Sequence, residues 1–183
     1  AEVVLMVAVG TGVGGALVIE GRTRRGAHHV AGEIAHVPVP GAQGEPCTCG
    51  RQGHLEAIAA GPQIHRRYLA KGGDPEVPDA REVERRADAG DGIAQEVYRD
   101  SAVCLARALA GLVTVIDPDV VVVSGGLARE GDLGWEPLRR TFAAEIIAPL
   151  APIKIITATL GTTAPIIGAA RGAPAMAGNN DTP

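Results

Sequence analysis

The sequence lacks any uninterrupted apolar stretch of the roughly 18 residues that a bilayer-crossing helix needs. Its first residues also lack the basic, then apolar, then small-residue order of a secretory signal peptide. With 46% hydrophobic residues among 183, the chain still has enough apolar side chains to bury a core. These features predict one globular domain, a cytoplasmic location and no membrane partner.

The chain also has no excess of positive charge. Its formal net charge is -4, and its basic residues are almost all arginine, with Lys71 and Lys154 as the only lysines. A weakly acidic chain has no general electrostatic attraction for a phosphate backbone. We therefore expect no nucleic-acid partner for this segment.

Three cysteines are too few for a disulfide framework in a chain of this length. Cys104 lies in an apolar helical pattern, which favours an inert core residue. Cys47 and Cys49 are separated by one residue, so metal ligation is a better interpretation than a bridge between them.

Two histidines complete a possible metal site around these cysteines. Ten residues separate His36 from Cys47, and four separate Cys49 from His54, so one loop can bring all four donors to a tetrahedral Zn²⁺. The Gly/Pro-rich region from about 21 to 53 is too long to be structureless in a compact domain, and a structural zinc would organise it. A solvated residue at the start of a helix is the alternative interpretation of His54.

Hydrophobic periodicity predicts alternating strands and helices, which is typical of an α/β protein. The apolar run 3–9 is predicted to pair with 16–21 as a hairpin, and four valines at 120–123 indicate a strand buried on both faces. Asp117-Pro118 ends a long helix. Helices are predicted over about 55–73 with a break at 61–62, and over 79–89, 91–116, 136–150 and 164–177, with a further strand at 153–161.

Two glycine clusters are candidates for nucleotide binding. In VGTGVGG at 9–15, backbone N–H groups and the Thr11 hydroxyl can converge on an anion. The SGG at 124–126 follows a buried strand, where ligands of α/β sheets usually bind. The first cluster matches neither a dinucleotide fingerprint nor a P-loop, and each cluster alone is also typical of a structural turn.

In order along the chain, these segments resemble the ROK family of sugar kinases, open reading frames and sugar-responsive repressors. The resemblance covers nearly all of residues 3–172 and implies the C-terminal lobe of an actin-like, ribonuclease H-like ATPase fold: a mixed sheet flanked by helices, with a zinc-stapled loop. The matching motifs are GTGVGG at 10–15, AGEIAH at 31–36, CTCGRQGHLE at 47–56, DPDVVVVSGG at 117–126 and GAA at 168–170.

The resemblance also implies roles for individual residues. It assigns sugar binding to Glu33, His36 and Glu56, and zinc binding to His36, Cys47 and Cys49, with His54 at the position where the family usually has a third cysteine. Thr11 and Gly12 match the phosphate-contacting turn, and Gly125 and Gly126 match the adenosine-side turn. The sequence departs from the pattern at Ala35, which stands where glycine is usual. The remaining histidines, His28, His29 and His65, match no motif, and we expect them to be solvated.

In the family, the phosphate loop and the catalytic aspartate belong to an N-terminal lobe that precedes the GTG hairpin. We expect this lobe to be absent from the chain, no catalytic residue within it, and no phosphorylation by the chain alone. Asp117 and Asp119 are poor substitutes, since the helix stop explains Asp117. Residues 1–177 are then the sugar- and nucleotide-binding C-terminal lobe, and 178–183 a disordered tail.

The function implied for the parent protein is an ATP-dependent hexose kinase of the glucokinase type, with ATP, Mg²⁺ and a hexose as ligands. The resemblance also implies a homodimer or tetramer. Two alternatives stay open: the sugar-sensing domain of a transcriptional repressor, and a zinc-stapled domain that serves only for oligomer assembly. Any of several hexoses could present hydroxyls to the predicted sugar site.

Overall fold

A five-stranded mixed sheet forms the centre of the computed structural model, which describes residues 1–126, 132–164 and 166–170. The strands lie in the order β3-β2-β1-β4-β5 across the sheet. They are β1 (Val3–Val9), β2 (Val13–Ile19), β3 (Arg22–Thr23), β4 (Val120–Gly125) and β5 (Lys154–Thr157).

Strand β1 lies between an antiparallel neighbour, β2, and a parallel neighbour, β4. Val9 pairs with Val13, so the turn between β1 and β2 has three residues, Gly10 to Gly12. The predicted partner strand at 16–21 was wrong at both ends, because β2 begins at Val13 and ends at Ile19. Gly15 is suited to its place in this strand because the backbone of Gly32 packs against it, 2.8 Å from where a Cβ would lie.

The helices α1 to α5 follow the predicted order, with small shifts at their ends. They are α1 (Glu56–Ala59), α2 (Gly61–Ala70), α3 (Ala80–Asp88), α4 (Gly92–Ile116) and α5 (Asp132–Glu145). The helix predicted over 136–150 thus begins and ends earlier, with a separate 3₁₀ turn at Ala148–Leu150. Residues 164 and 166–170 are helical, whereas residues 165 and 171–177 of the predicted last helix and the predicted tail lie outside the described residues.

Helix α4 packs across the sheet and joins two hydrophobic clusters. Leu105 and Leu109 of α4 lie in one cluster with Leu5 and Val121 of the sheet. Val97, near the N-terminal end of the same helix, lies in a second cluster with residues of α2 and α3. Within the described part of the chain, none of the helices is long and apolar enough to cross a membrane.

Candidate metal and ligand site

Four side chains predicted to bind zinc lie together in the structure. The ligand atoms of His36, Cys47, Cys49 and His54 are all within 4.8 Å of one another. The Cys47 Sγ lies 3.7 Å from His36 Nδ1, and the Cys49 Sγ lies 3.3 Å from His54 Nδ1. Standard zinc–sulfur and zinc–nitrogen bond lengths in a tetrahedral site place such atoms about 3.5 Å apart. The donor set therefore fits a zinc ion in both chemistry and size.

Backbone hydrogen bonds shape the loop that carries these donors. A bridge between Pro38 and His54 closes its base, and a second bridge joins Pro46 and Gln52. Within the inner turn the Cys47 N–H donates to the Arg51 carbonyl at 2.8 Å. The loop is therefore folded by its own backbone into two nested turns, which hold the cysteines close to the histidines.

An ion-pair network attaches this loop to the helices. Glu45 pairs with both Arg66 and Arg67 of α2. Arg67 is buried, and its guanidinium also donates to Asp100 of α4 at 2.7 Å. This loop, residues 38–54, is called the metal loop below, and the ion pairs anchor it to α2 and α4.

The two buried cysteines differ in their surroundings. Burial raises the pKa of the Cys47 thiol above its ordinary value, with a hydrogen bond from the backbone at Cys49 acting in the opposite direction. Burial also raises the pKa of Cys104 to about 11. Cys104 is 2% exposed within the core, as predicted, whereas Cys47 has three other metal donors beside it.

The position of Glu33 follows from a close backbone contact beside it. Gly32 has φ +96°, and a Cβ there would lie 2.5 Å from the Gly15 carbonyl oxygen of β2, so glycine is required. The Glu33 side chain is exposed at this contact. A 3₁₀ turn, Ile34–His36, then carries the chain to His36, with Ala35 buried in the core.

Glu56 lies between the metal loop and the β1–β2 turn. Its Oε1 accepts a hydrogen bond from the Thr48 hydroxyl, and its Oε2 accepts one from the Val13 N–H at 3.3 Å. Gly32 and Glu56 thus contact β2 two residues apart, at Gly15 and Val13, a spacing of about 7 Å along a strand. The two predicted sugar-binding carboxylates belong to segments that meet at one end of β2.

Three of the four predicted nucleotide residues lie at a cavity of about 830 Å³ on the other side of the turn. Thr11, Gly125 and Gly126 line it, and the Gly126 N–H donates to the Val9 carbonyl at 2.7 Å, which holds the two glycine clusters together. Gly12 does not line the cavity. A Cβ on Gly12 would instead lie 3.2 Å from the Glu56 Oε2, which places this residue on the carboxylate side of the turn.

Helices α2 and α3 supply cavity residues that the sequence analysis missed. Arg81, Arg85 and Asp88 of α3 line the cavity, and their i, i+4 and i+7 spacing on an amphipathic helix was the available signal. His65 of α2 also lines it. The expectation that His65 is solvated was wrong, because it is half-buried and its Nε2 lies 2.8 Å from the Val77 carbonyl oxygen.

The two aspartates after α4 have structural positions. Asp117 has φ +50° and ends α4 in the left-handed conformation. Asp119 Oδ2 accepts hydrogen bonds from the N–H groups of Glu2 and Val3, at 2.6 and 2.8 Å, and the Val3 N–H is the main cause of its lowered pKa. The end of α4 thus explains the aspartate at 117, and two backbone hydrogen bonds explain the one at 119.

Comparison with known proteins shows one family to which this chain is similar. A profile of the ROK family matches residues 1–175. A glucokinase of Halalkalibacterium halodurans is 34% identical over 183 residues, which cover 92% of this chain and 55% of the relative. The solved ROK hexokinase from Thermus thermophilus has a TM-score of 0.82 at 34% identity, over 93% of this chain and 58% of that one. A ROK family glucokinase from Streptomyces griseus, in complex with glucose and AMPPNP, has a TM-score of 0.78 at 30% identity, over 93% and 60%.

This chain spans a little more than half the length of these relatives. All five ordered motifs lie within the residues that the family profile matches. The mixed sheet and its helices follow the architecture of the ROK kinase structures. The profile match, the motif order and the sheet topology therefore agree that the chain belongs to the ROK family, and its homologues are glucokinases and other ROK sugar kinases.

Proposed function

We propose that this chain is the sugar- and nucleotide-binding C-terminal lobe of an ATP-dependent hexose kinase of the glucokinase type. In such a kinase, the phosphoryl group passes from Mg²⁺-bound ATP to a sugar hydroxyl, and the protein acts mainly by positioning the two substrates and stabilising charge. This chemistry requires that the two binding sites adjoin, so that the sugar hydroxyl lies next to the terminal phosphate of ATP.

The observation that carries the proposal is the position of the β1–β2 turn. Glu56, a predicted sugar ligand, contacts Val13 and Gly12 from one side of this turn, while Thr11 in the same turn lines the nucleotide-sized cavity on the other. Residues 11–13, which follow one another in the chain, therefore connect the predicted nucleotide site with the predicted sugar site.

The metal would have a structural role in this arrangement. The four protein donors His36, Cys47, Cys49 and His54 would hold a zinc ion without a ligand from the substrate, as in structural zinc sites. The zinc would fix the loop, while Glu33 and Glu56 accept hydrogen bonds from sugar hydroxyls. His36 Nδ1 is the ring nitrogen directed at Cys47, so Nε2 is the nitrogen that can meet a sugar hydroxyl.

The nucleotide would occupy the cavity at the ends of β1 and β4. The amides of the turn and the Thr11 hydroxyl suit the phosphates, and Gly125 and Gly126 suit the adenosine side, because glycine lets a ligand approach the backbone closely. The homodimer or tetramer implied by the family resemblance stays a prediction.

Sugar binding tests the proposal directly. We expect glucose or a related hexose to give saturable heat in isothermal titration of the zinc-loaded protein, with affinity falling roughly ten- to hundredfold in Glu33→Gln, since a hydrogen bond to a charged group is lost. Glu76→Gln is the matched control, because Glu76 is also an exposed acid but lies in the segment before α3.

Equal hexose affinity in Glu33→Gln and the parent chain would contradict the assignment of the sugar site. A parallel titration with Mg²⁺-ATP separates the kinase from the repressor alternative. Saturable ATP binding supports the kinase, whereas hexose binding with no ATP binding favours a sugar-sensing domain.

A further inference from the structure

The Glu56 carboxylate connects two segments that are far apart in the sequence. Glu56 is the first residue of α1, and its side chain is half-buried. One oxygen accepts from the Thr48 hydroxyl and the other from the Val13 backbone N–H. Because each oxygen has its own donor, the rotation of this carboxylate is fixed by both segments together.

Thr48 lies directly between the two cysteines of the metal cluster. Its neighbours Cys47 and Cys49 each face a histidine nitrogen of the cluster. Threonine is branched at Cβ, so the direction of its hydroxyl follows the backbone closely. A change in the position of the cysteines therefore moves the hydroxyl that holds Glu56.

The second partner of Glu56, Val13, is the first residue of β2 and follows the three-residue turn directly. Gly12 packs against the same Glu56 oxygen, where even a Cβ would make a tight contact of 3.2 Å. The turn is also held by the Gly61 N–H, which donates to the Gly10 carbonyl at 2.8 Å. Gly61 therefore holds the start of the turn at Gly10, and Glu56 holds its end at Gly12 and Val13.

We propose that Thr48 is a positioning residue for Glu56, and that through this pair the state of the metal cluster sets the conformation of the β1–β2 turn. The inference rests on the metal and sugar sites proposed above. Metal bound at the cluster fixes Thr48, Thr48 fixes Glu56, and Glu56 holds the Val13 amide. Sugar binding at Glu56 and phosphate binding at the turn then both depend on one hydroxyl that belongs to neither site.

The test compares Thr48→Val, which removes the hydroxyl and keeps the shape, with Thr48→Ser, which restores the hydroxyl. Thr114→Val is the matched control, since the Thr114 hydroxyl bonds the Ala110 carbonyl within α4, away from the cluster. Amide hydrogen exchange at Val13 is measured by NMR for zinc-loaded and chelator-treated protein, with the Leu5 amide in the central strand as internal reference. Zinc content and glucose affinity are measured on the same samples.

We expect Thr48→Val to raise exchange at Val13 about tenfold and weaken glucose binding about tenfold, with zinc content unchanged. Thr48→Ser should recover both, and Thr114→Val should change neither. Chelation should raise Val13 exchange in the parent chain but add little in Thr48→Val, because the same link is already broken.

Unchanged Val13 exchange in Thr48→Val would overturn the positioning role. Equal responses to chelation in the parent chain and in Thr48→Val would overturn the link between the metal and the turn. If the chain binds neither sugar nor zinc, the proposed function fails, yet the Val13 amide still reports whether Thr48 holds Glu56, so the two failures are distinguishable.

Discussion

Gly125 shows how a single residue joins the fold to the candidate nucleotide site. Its φ is +95°, and a Cβ would lie 2.0 Å from the Val9 carbonyl oxygen. Val9 and Gly125 are register partners in the parallel pair of β1 and β4, so neither backbone can move away without breaking that pair. Glycine is required here by the sheet before any ligand is considered.

We expect Gly125→Ala to lower the free energy of unfolding by roughly 3 kcal/mol or more, because backbone strain and a steric clash add together. The midpoint of urea unfolding measures the change. Gly14→Ala is the control, since a Cβ at Gly14 meets nothing within 4 Å and its φ is ordinary, and its effect should stay within about 1 kcal/mol. Similar midpoints for the two variants would show that the β1–β4 contact is looser than described.

At the scale of elements, Asp91 determines where α4 begins and how α2 packs on it. Its Oδ1 caps α4 by accepting from the N–H groups of Ile93 and Ala94, at 2.9 and 3.0 Å. Its Oδ2 accepts from the hydroxyl of Tyr68, a fully buried residue of α2, at 2.9 Å. The Ala94 N–H is the main reason that the pKa of Asp91 is lowered, and burial acts in the opposite direction.

Asp91→Ala should cost about 1–2 kcal/mol of unfolding free energy at pH 7, as loss of a helix cap does. Because the folded pKa is lowered, the stabilisation is complete above the ordinary aspartate pKa of about 3.9 and is lost as the pH falls through the lower folded pKa. The difference between Asp91→Ala and the parent chain in urea unfolding should therefore shrink only below about pH 4. Asp79→Ala is the control, since Asp79 caps α3 through one N–H, that of Glu82, and should cost less. A difference that is constant down to pH 2 would contradict this account.

At the scale of the whole molecule, the metal loop is supported by the body of the protein. Glu45 ties it to Arg66 and Arg67, and two backbone bridges close it. A zinc ion would add stability on top of this framework rather than create the fold, in contrast to small zinc domains that unfold without metal.

Removal of zinc by a chelator should therefore lower the melting temperature while leaving the far-ultraviolet circular dichroism at 25 °C nearly unchanged. Free zinc at about 100 times its dissociation constant stabilises by about 2.7 kcal/mol, or roughly 5 to 10 °C for a domain of this size. Cys49→Ala should bind less than one equivalent of zinc and lose most of this response. Cys104→Ala is the control, because Cys104 lies outside the cluster. One full equivalent of zinc in Cys49→Ala would show that the ligand set is wrong.

The candidate site was predictable where its residues lie in short, spaced motifs. The four metal donors fall within one loop, so their spacing alone indicated a cluster. The contacts of Thr48 and the cavity residues of α3 were not predictable, because they depend on how separate segments pack. The start of β2 was placed too late, since glycine propensity does not report the backbone that packs against Gly15.

Periodicity and spacing are local properties of the chain, so the sequence alone was enough to predict the order of strands and helices, the strand β4, the long helix α4 and the clustering of His36, Cys47, Cys49 and His54. Local patterns do not show that the Glu56 carboxylate reaches the β1–β2 turn, or that Gly12 and Thr11 lie on opposite sides of it, because both depend on how distant segments pack. Glu56 and Val13 are 43 residues apart in the chain, and only the packed fold brings the side-chain oxygen of one to the backbone N–H of the other.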